Sequence, residues 1–189
     1  MNFIEKNIYY LNMNELRVIC NQYDIPYEIY MEKGSEQVKT GSYDRKNIII
    51  KRIIDKINGK NSRKTLYRSA VIELNPKKSF TKNNLMKYGE YKNGNSNILK
   101  LLKKLTNGKF KFGALSCELI DKYWRNGKAP TFDAFAKKYL SKLNNNDKHP
   151  EWRYIQFIRD GGTIDEWNKK RSIVAKKVIG LIKNKISIK

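Results

Sequence analysis

Charge is spread very unevenly along this 189-residue chain, and any fold has to accommodate that. Residues 1–60 hold ten basic and eight acidic side chains, whereas residues 61–189 hold thirty and ten, so nearly all of the formal +22 lies in the second stretch. Lysines and arginines at that density stay solvated, which confines apolar residues to stripes on amphipathic elements. A field of this sign needs or tolerates a polyanion, and nucleic acid is the commonest one in a cell. Lys outnumbers Arg by thirty-one to nine, a bias that an AT-rich genome produces by itself. The difference between the two stretches has no such explanation, because one genome encodes both.

The apolar share of 40%, with aromatics at 12%, supplies packed cores and excludes a disordered basic tail. Apolar runs reach four residues at most, far short of the ~20 that span a bilayer, so no membrane partner is expected. The start, Met1-Asn2-Phe3-Ile4-Glu5-Lys6, lacks the basic and apolar regions of a secretion signal. Cys20 and Cys117 are far apart with no CxxC pattern, which reads as reduced thiols in a reducing compartment. A cytoplasmic or nucleoid-associated protein is expected, or a nuclear or virus-associated one in a eukaryotic host.

The first sixty residues read as helix, long connection, helix. Asn12 or Asn14 caps a helix reaching about Tyr23, with Leu16, Ile19, Cys20 and Tyr23 on one face, and Asp24-Ile25-Pro26 stops it. Residues 27–41 alternate loosely around Lys33-Gly34-Ser35, as a small hairpin or an ordered loop. Ser42 is the expected N-cap of the next helix, with Asp44 in its first turn. Ile50, Ile53, Ile54 and Ile57 form that helix's stripe, and Asn58-Gly59 ends it.

This arrangement resembles the SAP domain, the helix–extended loop–helix DNA-binding module named after scaffold attachment factors. The resemblance rests on Leu11-Asn12-Met13-Asn14-Glu15-Leu16, Cys20, Asp24-Ile25-Pro26, Thr40-Gly41 and the basic stretch from Asp44 to Ile53. It covers about residues 10–58. Two departures stand out: Asp24 occupies a position where the family usually has Gly, and about thirteen residues separate Pro26 from Gly41 where the family has a few. The resemblance implies binding of double-stranded DNA through the second helix and the turn before it. By position the contacts are Thr40, Gly41, Ser42, Arg45, Lys46, Lys51 and Arg52.

Beyond a junction at Gly59–Lys64 the pattern is mainly helical. Residues 64–74 have helical spacing, with strand an alternative for Ala70–Leu74, and 81–88 allow a short helix at best. Helices are expected at 97–105, about 114–125, from Pro130-Thr131 with Phe132, Phe135, Ala136, Tyr139 and Leu140 inward, and after Pro150. Thr163-Ile164-Asp165-Glu166 is a capping box opening a helix to about Ile182. Phe110 and Phe112 alternate with Lys109 and Lys111, as on a short strand; facing inward the rings are core, facing outward they stack bases. The expected fold is therefore mainly α: a SAP-like unit over 1–60 followed by a basic multi-helix domain over 61–189.

Enzyme chemistry finds little support. One histidine, His149, and two distant cysteines assemble neither a catalytic triad nor a His-based metal site, and no phosphate-binding glycine loop occurs. Glu90-Tyr91-Lys92 has the spacing of a metal nuclease fragment but no preceding strand aspartate. No cofactor and no metal is expected. Residues 122–139 read loosely as helix–turn–helix, adding Lys128, Lys137 and Lys138 as candidate DNA contacts. The last helix adds Lys169, Lys170, Arg171, Lys176 and Lys177, with Lys169, Lys176 and Lys183 recurring every seven residues as a phosphate-tracking stripe. The expectation is a non-enzymatic protein that binds duplex DNA mainly through phosphates. RNA binding, a SAP-tethered nuclease or recombination factor, and a protein-binding adaptor are the alternatives.

Overall fold

The computed structural model describes residues 3–75, 78–91, 96–143 and 153–187. The chain divides into two compact units, neither continuous in sequence: residues 1–28, 41–65 and 149–189 form the first, and 29–40 with 66–148 the second.

In the first unit, α1 (Phe3–Asn7), α2 (Met13–Gln22), α3 (Lys46–Ile57) and α8 (Ile164–Ser187) share one core, while α7 (Arg153–Arg159) has no buried residue and sets Tyr154 and Phe157 against Trp167 of α8. Asn12 caps α2 in a full capping box with Glu15, satisfying two orphan donors of the first turn. The inward residues are aliphatic: Leu16, Ile19 and Cys20 of α2 meet Ile49, Ile50, Ile53 and Ile57 of α3, and Ala175, Val178 and Ile182 of α8 complete the cluster. Helix α8 begins at the capping box, where Thr163 N–H and Oγ1 both donate to Glu166, and it runs past Ile182 to Ser187.

The second unit has an aromatic core. Helices α4 (Ser96–Leu105), α5 (Ala114–Arg125) and α6 (Phe132–Leu143) pack around Phe110, Trp124, Phe132, Phe135 and Tyr139. Trp124 Nε1 donates to the Met86 carbonyl at 2.9 Å, and Tyr67 OH donates to Asp121 at 2.6 Å, so the polar tips of the buried rings are satisfied.

The mainly helical expectation is corrected here. Strands β1 (Glu28–Lys33), β2 (Glu36–Tyr43) and β3 (Thr65–Tyr67) form a mixed sheet in the order β2-β1-β3, making the fold mixed α/β. The hairpin folds because Ile29 is buried on one face, Gly34 at φ 64 makes the turn, and Thr40 Oγ1 donates across to the Ile29 carbonyl. Strand β3 occupies residues where apolar spacing predicts a helix; three residues are too few for any period to identify.

Other local expectations change too. Ser42 is not a helix cap: it lies in β2, and α3 starts at Lys46 with Arg45 in the cap position and no side-chain cap bond. The Asp44 N–H donates to the Tyr27 carbonyl, which keeps the chain extended past Ser42. Residues 81–88 form no helix but are tied by bridges Ile72–Tyr88 and Leu85–Thr131. Residues 110–112 are not a strand, and Phe110 is fully buried, so the ring belongs to the core. Ile155 of α7 and Ile164 at the start of α8 are exposed.

Candidate nucleic-acid interface

Where α2, the end of β2 and the start of α3 meet, Met13, Arg17, Ser42, Tyr43, Asp44, Arg45 and Lys46 line an open cleft of about 440 Å³. Three of these, Ser42, Arg45 and Lys46, are among the contacts implied by the resemblance. Arg17 is an addition: its guanidinium lies 4.0 Å from the centroid of the Tyr43 ring, and Tyr43 stacks on Tyr27 at 5.7 Å. Its Nε is buried and makes no hydrogen bond among the described residues. Lys46 Nζ donates to the Tyr9 carbonyl at 2.7 Å, which holds its stem along the cleft.

The acid that lines this cleft, Asp44, is neutralised from behind. Asp44 is 1% exposed, bound by Arg52 Nη1 and by the Thr65 hydroxyl at 2.7 Å, while Arg52 Nη2 donates to Thr65 at 2.8 Å. Arg52 Nη1 also donates to the Pro26 carbonyl, tying the turn after α2 to α3. Glu15, two residues from Arg17 and on the other side of α2, lies outside the cleft lining and is paired with Arg171 of α8. What faces the cleft is therefore cationic: Arg17, Arg45 and Lys46.

Two predicted contacts thus turn out to act internally. Arg52 is 6% exposed and its guanidinium is used within the fold, so it is not a surface DNA contact. Arg171 is half-buried against Glu15. Glu15 and Arg171 are 156 positions apart, and the spacing of eight between Asp44 and Arg52 gives no sign of a pair in the sequence. Thr40 is half-buried and bonded within the hairpin, Gly41 is exposed at φ 73, and Lys51 is exposed on the solvent side of α3.

On α8, the core residues Ala175, Val178 and Ile182 leave Lys169, Lys176 and Lys183 exposed along one flank and Lys170 and Lys177 along the other. Lys177 sits over the Phe3 ring at 4.6 Å and Lys170 over Phe157 at 5.5 Å, so both ammonium groups are partly steered by aromatic faces. Lys128, Lys137 and Lys138 belong to the second unit and are exposed, with Lys137 paired to Asp133 at 2.7 Å. The predicted basic residues are therefore shared between two units rather than gathered at one site.

Counted by unit, the charge asymmetry disappears. The first unit holds twenty basic and ten acidic side chains and the second twenty and eight, so their net charges are +10 and +12. The residues that change the balance are those of α7 and α8, which belong with the N-terminal segment in space.

Among the described residues no group of three or more His, Cys, Asp or Glu is placed to hold a metal, and no helix is long and apolar enough to cross a membrane. His149 and Lys92 lie outside the described residues. Compared with protein-family models, with curated proteins and with solved structures, the chain gives no match.

Proposed function

We propose that this chain is a DNA-binding protein that grips the phosphate backbone of a duplex at the cleft between α2 and α3, in the manner of a SAP-like module. The observation that carries the reading is the sequestering of Asp44 by Arg52 and Thr65, in a cleft also lined by Arg17, Arg45 and Lys46. Arg17, held over the Tyr43 ring, adds a guanidinium to the cleft lining, the group that pairs most strongly with a phosphate. The exposed lysines of α8 extend the cationic surface of the same unit.

Two backbone angles support the SAP-like part of the reading. Asp24 adopts φ 52 and Gly41 φ 73, both in the left-handed region that favours glycine. These are the turn before the hairpin and the approach to the second helix, where the family pattern has its glycines. Asp is among the few other residues that tolerate this region, so the substitution at 24 preserves the turn. The extra residues between them form a paired hairpin, an insertion that leaves both helices in place.

The test is fluorescence-anisotropy binding of the full chain to matched duplex DNA, single-stranded DNA and RNA over a salt series. Duplex should bind tightest. Arg17→Gln/Arg45→Gln should lower the slope of log affinity against log salt by about 2, close to one unit for each phosphate that the protein no longer neutralises. A preference for RNA, or a slope unchanged by these substitutions, would remove the cleft from the account.

A further inference from the structure

The second unit carries a cationic face of its own, assembled around one buried ring. Helix α4 ends in a fold-back held by Thr106, whose hydroxyl donates to the Leu102 carbonyl at 2.7 Å and accepts the Phe110 N–H at 2.9 Å. Gly108 N–H donates to the Lys103 carbonyl at 2.8 Å, with Asn107 and Gly108 both left-handed, at φ 50 and 79. The chain then drops Phe110 into the core against Tyr139 and Phe135, ring centroids 5.1 and 6.3 Å apart. With Phe110 pinned inward, its neighbours Lys109 and Lys111 are exposed. The Lys111 N–H donates to the Tyr139 hydroxyl at 3.3 Å, fastening this segment to α6.

Helical geometry supplies the rest. Lys138 and Lys142 lie one turn apart on the flank of α6 that carries Phe135 and Tyr139, the side turned to Phe110. Lys103 and Lys104, in the last turn of α4, precede the fold-back. All six of these lysines are exposed. Neither α4 nor residues 106–113 contains an acid, and the one acid of α6, Asp133, lies on the opposite flank paired with Lys137. Six like charges with no carboxylate on α4, on residues 106–113 or on the same flank of α6 repel one another unless a polyanion neutralises them. They are ammonium groups without an arginine fork, suited to phosphates rather than to base edges.

We propose that this lysine face holds the backbone of a second DNA duplex, so that one chain bridges two duplexes, one per unit. The inference rests on the DNA-binding reading above and goes beyond it. Each unit has its own core and its own excess charge, and so the means to hold backbone independently.

The experiment captures a fluorescent duplex on beads bearing a second, immobilised duplex, using the full chain and the variant Lys109→Gln/Lys111→Gln/Lys138→Gln/Lys142→Gln. Circular dichroism melting of both proteins checks that these exposed substitutions leave the fold intact. The wild type should capture the free duplex and saturate at two duplexes per chain. The variant should lose capture by about tenfold or more, since four phosphate contacts carry a large share of such a face's affinity, and should saturate at one. Capture that is unchanged in the variant overturns the proposal while leaving cleft binding in place. So does a wild type that saturates at one duplex, with the variant merely lowering the salt slope, because the lysines would then extend a single footprint. A wild type that binds no duplex removes the DNA reading itself, and this inference with it.

Discussion

Arg52 and Asp44, eight positions apart, form an ion pair inside the first unit with both side chains buried. Arg52 also donates to Pro26 and Thr65, so one guanidinium joins the turn after α2, the approach to α3 and the segment after it. Such a pair specifies geometry more than it adds stability, because desolvating both ions offsets much of their attraction. Removing one partner is another matter. Arg52→Ala should destabilise the protein by about 3–5 kcal/mol, since it strands a buried carboxylate. The paired replacement Asp44→Asn/Arg52→Met should cost clearly less than the single one. Urea denaturation of the three proteins measures both, and equal losses would show that the pair does not act as a unit.

Arg171 makes a sharper test of how the surface of the first unit acquires its charge. If its role is to neutralise Glu15, then Arg171→Gln should weaken duplex binding by exposing that carboxylate beside α2, and Glu15→Gln in the same chain should restore it. A direct phosphate contact from Arg171 would leave the double variant as weak as the single one. Anisotropy titrations at fixed salt distinguish the two outcomes.

Burial pushes the Cys20 thiol up to about 12, against a smaller lowering by Arg52 and a lesser raising by Asp44. The folded chain therefore keeps this proton where the unfolded chain, at 9.0, gives it up. The stability linked to it is fully present below about pH 9 and is lost as pH rises toward 12. Cys20→Ala should flatten the alkaline fall in denaturant midpoint relative to the wild type. In the native protein at neutral pH a maleimide should label Cys117, which is half-buried, well ahead of Cys20.

A fragment of residues 1–65 should not fold alone. Its core lacks Ala175, Val178 and Ile182, three fully or nearly fully buried residues contributed by α8, and losing buried side chains on that scale typically costs several kcal/mol. Proton NMR should give poorly dispersed amide signals for the fragment and dispersed ones for the full chain. A well-dispersed fragment would show that α2 and α3 suffice as a core.

What could be read from the sequence was local. The Asn12 and Thr163 caps and the glycines at 59, 108 and 127 stand where the helices start or stop, because a cap is satisfied within a few residues of itself. The boundaries of α5 follow from the same kind of signal. What could not be read was whatever depends on distant partners. Ser42 has the chemistry of an N-cap, yet Asp44 is drawn inward by Arg52 and Thr65 and the helix waits until Lys46. Strand β3 exists because β1 offers it a free edge, not because Thr65-Leu66-Tyr67 has a pattern of its own. At the candidate interface, Arg45 and Lys46 are legible as a basic helix start, whereas Ser42 lies in β2 and Arg17 gains its position from Tyr43 on another element. For Arg52, charge alone predicts exposure, and only its buried carboxylate partner reverses that.

The interleaving of the two units has a consequence for how the molecule is made. Every segment of the second unit has been translated by residue 148, whereas the first cannot close until α8 has emerged from the ribosome. During synthesis the N-terminal helices are therefore held as an incomplete core, with Leu16, Ile19 and Ile53 lacking their final cover. The core behind the cleft is therefore completed only once α8 has been made, long after α2 and α3, the helices that line the cleft.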